Sequence, residues 1–99
     1  MGHKLEEIFN LPDIKFIQFC EWKFQLNRGV YNNIDIWFYE KGVKSIISRR
    51  KVVINFLFFA CSNEKKVKFG SDGLKKKLEE FCKQSNNALL ETVDQVRSV

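Results

Sequence analysis

Apolar positions along the chain follow two registers, and the change between them sets the expected fold. Leu5, Ile8 and Phe9 share one face of a short helix over residues 3 to 9. Asn10-Leu11-Pro12-Asp13 interrupts it, because a proline disfavours helix at the residue before it. From residue 14 the period is nearer two. Ile14, Phe16, Cys20, Trp22, Phe24 and Leu26 are all even-numbered, with a break at Gln18. Ile14, Ile17, Cys20 and Phe24 also fit a helix opened by Pro12 and Asp13, but the aromatic and β-branched content favours a strand. Asn27-Arg28-Gly29 and Asn32-Asn33 are turn chemistry. In residues 34 to 40, Ile34, Ile36 and Phe38 alternate with Asp35, Trp37 and Tyr39. Lys41-Gly42 then predicts a hairpin turn into a return strand over 43 to 48.

Residues 52 to 61 are apolar at odd and even positions alike, interrupted at Asn55, which predicts a central strand buried on both faces. A turn at 62 to 65 leads to a lysine-bearing edge strand over 66 to 69. Ser71 or Asp72 caps a helix over 72 to 97, with Leu74, Leu78, Phe81, Cys82, Ser85, Leu89, Val93 and Val96 on one stripe. The expected fold is therefore α+β in a single domain over 1 to 99. An antiparallel β-meander of four to five strands, within residues 14 to 69, packs on a long C-terminal helix and is preceded by a short N-terminal one. The helix would be about 39 Å long, more than a small sheet needs. With the doubly apolar strand, that excess points to a homodimer or a protein partner.

Charge sharpens this picture. The total is +5, but residues 41 to 77 hold eleven basic groups and two acidic ones, or +9, and the remainder carries −4. Such polarity attracts polyanions: nucleic acid, an anionic membrane or an acidic protein face. Arg49, Arg50 and Lys51 form a basic corner, with Lys44, Lys65, Lys66 and Lys68 on the neighbouring strands as further phosphate contacts. Trp37 and Tyr39, on one face of a strand, would stack on bases.

Other chemistry is sparse. His3 is the single histidine, the glycines form neither a dinucleotide fingerprint nor a phosphate loop, and the carboxylates lack metal-loop spacing. No enzyme activity, cofactor, metal or small-molecule substrate is expected. Gly70-Ser71-Asp72-Gly73 reads as a helix start. Cys20, Cys61 and Cys82 lie far apart in apolar surroundings and read as buried free thiols. With no signal peptide at the start of this sequence, an intracellular setting, cytoplasmic or nuclear and not secreted, is expected.

The segment from Asn55 to Gln84, read as strand, turn, lysine strand and helix, resembles the closing hairpin and helix of pleckstrin-homology-like domains. The order helix, antiparallel strands, helix is similar to the small RNA-binding Alu-domain subunits of the signal recognition particle. Strands followed by a helix also resemble single-strand DNA-binding transcription coactivators. The favoured expectation is a non-catalytic module for RNA or single-stranded DNA. The alternatives are a protein-interaction adaptor or inhibitor using the apolar sheet face and C-terminal helix, or an anionic phospholipid binder.

Overall fold

The computed structural model describes residues 5–62 and 64–84, and every regular element among them is a helix. The elements are α1 (Leu5–Phe9), α2 (Asp13–Phe24), α3 (Arg28–Glu40), α4 (Ile46–Cys61) and α5 (Ser71–Gln84). The expected β-meander is thus corrected to an all-α arrangement among the described residues. The three resemblances lose the strands on which they rested. The short helix near the N-terminus is present as α1, and the C-terminal helix is present as far as Gln84. The expected continuation of that helix to residue 97 lies outside the described residues.

Local chemistry explains each departure. Asn27, read as a turn residue, is the N-cap of α3, and its side chain accepts the Val30 N–H at 3.1 Å. Ser45, placed in a return strand, caps α4 by accepting the Ser48 N–H at 3.3 Å. Gly42, read as a hairpin turn, ends α3 instead. Its φ is 108°, its N–H donates to Tyr39 O at 3.0 Å, and the Val43 N–H reaches back to Phe38 O at 3.0 Å. Those two bonds, with buried Val43 packed beyond buried Phe38, make a Schellman stop.

The run 52 to 61 is buried on all sides, as expected, but as the central helix α4. Val52, Val53, Ile54, Phe56 and Leu57 are all fully covered. A helix apolar all round belongs in the middle of a bundle. Here α1, α3 and α5 pack on α4, and α2 packs on α3. Neighbouring helices of the chain cover the apolar run 52 to 61, and the helix excess that also pointed to a partner lies outside the described residues. Phe38 of α3, Phe56 and Phe59 of α4, and Phe81 of α5 form one aromatic cluster with centroid separations of 5.6–6.2 Å. The 62–70 connection is not a strand; its Val67 N–H donates at 2.9 Å to the carbonyl of Phe24, at the end of α2.

Arg50 fixes the other end of the bundle. It lies on α4 at 5% exposure. Its Nη1 donates to Phe9 O at 2.9 Å and Leu11 O at 2.6 Å, and its Nη2 donates to Asp13 Oδ1 at 2.6 Å. The first two acceptors lie where α1 ends and cannot be satisfied by α1 itself. The guanidinium also sits 4.7 Å from the centre of the Phe16 ring.

Two stability predictions follow from this geometry. In urea unfolding, Arg50→Ala lowers stability by about 2–4 kcal/mol, because two carbonyls lose a charged donor. Asp13→Asn, at an exposed carboxylate, costs less than about 1 kcal/mol. Small and equal losses would contradict the carbonyl tie. Separately, Gln25 ends α2 in the left-handed region at φ 53°, so Gln25→Gly raises stability by up to about 1 kcal/mol. A loss of stability would show that the Gln25 side chain holds the turn.

Candidate nucleic-acid interface

Folding takes up much of the basic corner. Arg49, half-buried, donates from Nε to Asp35 Oδ1 at 2.8 Å and from Nη1 to Val43 O and Lys44 O at 3.1 and 3.0 Å. It therefore ties α4 to α3 and to the loop between them. Arg50, expected as a phosphate contact, holds α1 and α2 and is withdrawn from solvent. Lys51 is half-buried, with its ammonium 5.9 Å from the centre of the Phe9 ring.

The aromatic pair is separated. Two residues apart on a helix means about 200° of rotation, so Trp37 and Tyr39 lie on different flanks of α3. Lys44 Nζ sits 3.9 Å from the Tyr39 ring centre and donates to Tyr39 O at 3.1 Å, and the Arg49 guanidinium is 5.3 Å from the same ring. Trp37 is half-buried on the α5 side, where Lys75 Nζ stands 4.8 Å above its ring.

Exposed cations gather on the 62–70 connection and on α5, while Lys15 and Arg28 are exposed singly on α2 and at the start of α3. Lys65 and Lys66 are exposed, and Lys68 pairs with Glu64. On α5, Leu74, Leu78 and Phe81 face the core, so Lys75, Lys76 and Lys83 are left facing solvent. Lys77 is half-buried between Phe59 and Phe69, at 5.7 and 5.6 Å from the ring centres, and approaches Glu80 at 3.8 Å. Lys41 pairs with Glu79 at 3.2 Å. Lys65, Lys66, Lys75, Lys76 and Lys83 make no ion pair with any described residue. The Lys75-Lys76-Lys77 run raised the expected segment charge, but a strand-based reading gave it no place in the site.

Sequence reasoning put Trp22 in the apolar series of an expected strand and did not count it among the site residues. It is 74% exposed in the last turn of α2, with Phe19 6.0 Å away between ring centres. The Val67–Phe24 hydrogen bond brings the lysine-bearing connection to the same end of α2. Exposed indoles and unpaired ammonium groups are the side chains that base stacking and phosphate contact use. Hydrophobic periodicity alone could not separate this tryptophan from a core one.

The thiols are electrostatically quiet. Burial pushes Cys20 well above the ordinary thiol range. Burial and then Glu64 push Cys61 up to about 11 from 9.0, and Cys82 is raised by burial although Lys41 opposes it. Among the described residues, no group of three His, Cys, Asp or Glu side chains could hold a metal ion. No helix among them is long and apolar enough to cross a membrane.

Over 77 residues the chain is 42% identical to the RNA-binding riboflavin kinase RibR of Bacillus subtilis (strain 168). The match takes in 73% of this chain and 34% of that protein, so the chain spans about a third of the length of the relative it matches. No family model and no solved structure matches the chain.

The raised thiol of Cys61 gives the alkaline side of stability a definite sign. The unfolded chain releases this proton from about pH 9, and the folded chain keeps it to about pH 11. Stability conferred by the neutral thiol is complete below pH 9 and falls as pH rises from 9 to 11. Urea midpoints measured from pH 8 to 11 should decline over that window, with a shallower decline in Cys61→Ala. An unchanged slope in the variant would contradict the assignment.

Proposed function

We propose that this chain is a non-catalytic module that binds single-stranded RNA through the 62–70 connection, the solvent face of α5 and the indole of Trp22. One observation carries the reading: five lysines without an ion pair to any described residue lie on the connection and α5, and an exposed tryptophan lies in the last turn of α2, the helix whose end the connection meets. The name of the bacterial relative supports RNA over DNA as the polyanion. The elevated thiols support a binding role, since a protonated thiol is a poor nucleophile.

In this reading Lys65, Lys66, Lys75, Lys76 and Lys83 neutralise phosphates, and Lys68 joins them when it exchanges Glu64 for RNA. Trp22 stacks on one base, worth about 1–3 kcal/mol. Trp37 lies beneath Lys75 and holds its ammonium above the helix surface. Lys44 with Tyr39 forms a separate, smaller cationic spot on the other flank of α3.

The test is a titration of labelled single-stranded RNA at several salt concentrations. Six phosphate contacts predict a log–log slope of about −4.2. Removing the charges of Lys65 and Lys66 makes it shallower by about 1.4. Trp22→Ala weakens binding about tenfold at every salt concentration, and Lys15→Glu on α2 changes neither quantity. Binding insensitive to salt, or equally weakened by Lys15→Glu, would overturn the proposed surface.

A further inference from the structure

A second feature lies away from the lysine face. A cleft of about 150 Å³ opens among α2, α3 and α4, lined by Asp13, Ile17, Tyr31, Asn32, Asp35, Ile46, Arg49 and Arg50. Pockets for drug-sized ligands run to about 300–1,000 Å³, so this one suits a single planar ring system. Its two arginines are balanced by two aspartates. That balance, with both carboxylates at the cleft wall, disfavours a phosphate and favours a neutral group.

Three polar groups in the cleft are left unused by the fold. Tyr31 is 7% exposed, and its hydroxyl, open to the cleft, makes no hydrogen bond to any described residue. Burial and the neighbouring Asp35 carboxylate keep the proton on this phenol, so it is a donor. Asp35 gives one oxygen, Oδ1, to Arg49 and leaves the other free as an acceptor. Asn32, exposed on the next residue of α3, also makes no hydrogen bond to a described residue. Ile17 of α2 and Ile46 of α4 supply apolar walls, and Ile46 is 55% exposed.

We infer that this cleft binds a guanine base. A carboxylate takes adjacent N–H donors, and among the four RNA bases guanine carries N1–H beside N2–H on one edge. Its neighbouring O6 accepts from the Tyr31 hydroxyl. Asp35 takes one N–H on its free oxygen and the other on the second lone pair of Oδ1, beside Arg49. Asn32 closes the mouth, and Ile17 with Ile46 cover the ring faces. Adenine and cytosine each offer a single exocyclic amine, and uracil a single ring N–H, to the same acceptors. The inference is independent of the lysine face, since it needs no phosphate.

The probe is therefore the nucleoside, followed by NMR titration of the intact chain. Guanosine should shift the amides of residues 31 to 35 and bind about tenfold tighter than adenosine, cytidine or uridine. Inosine, which lacks the N2 amino group, should bind about fivefold weaker than guanosine. Tyr31→Phe removes only a hydroxyl that bonds nothing in the free fold, and should weaken guanosine about tenfold while leaving the spectrum of the free protein intact. Asn32→Ala, at an exposed position, should weaken it less. Lys65 and Lys66 variants should leave guanosine binding unchanged, which separates this site from the lysine face. Equal affinity for the four nucleosides, unaltered binding by Tyr31→Phe, or no binding of guanosine would overturn the inference.

Discussion

A guanidinium at 5% exposure must find acceptors inside the protein, and Arg50 finds three. Two of them are carbonyls that the end of α1 leaves without partners, and the third opens α2. A single side chain of α4 thereby fixes how the chain enters the bundle. The adjacent Arg49 does the same for α3 and the α3–α4 loop. Charge that looks available in the sequence is consumed in tying α1, α2 and α3 to α4. The charged surface left for a partner is what these two ties do not use.

That division reshapes the functional picture. A segment of +9 remains attractive to a polyanion, but among its described residues the exposed lysines without an ion pair gather on the 62–70 connection and α5, while Arg49 and Arg50 are taken up by the fold. The connection is held by its own contacts: the Val67 N–H on Phe24 O, Lys77 between Phe59 and Phe69, and a close approach of Phe69 to Gly73. A Cβ at Gly73 would stand 3.0 Å from Phe69 Cβ, so the glycine lets α5 begin directly against the connection. Lysines presented on a segment anchored this way lose less freedom on binding than lysines on an unanchored loop.

Burial was legible in the sequence where periodicity was not. Residues 52 to 61 announce a fully enclosed element, and the structure encloses them. A ten-residue apolar run carries no period, so it does not separate a buried strand from a buried helix. In residues 14 to 26 and 34 to 40 the even-numbered series competes with a helical one, and phenylalanine and isoleucine weigh toward strand on propensity alone. The caps hold the information that decides. Asn27, Ser45 and Gly42 are as typical of helix ends as of turns, and taken together as two starts and one stop they define α3 and the beginning of α4. The basic surface was legible in outline from Lys65, Lys66 and Lys68. Arg50 and Trp22 were not, because inward and outward placement follow from the helical register that the strand reading had displaced.

The account turns on where cations remain free after folding. A two-dimensional NMR titration of the isotope-labelled chain with single-stranded RNA tests this most directly, because it reads every residue at once. The account predicts perturbed amides across 64–69 and 75–77 with a shifted Trp22 indole signal. It also predicts a slowly exchanging Arg50 guanidinium that RNA leaves unmoved. Perturbations centred on Arg49, Arg50 and Lys51, with the α5 lysines silent, would contradict it.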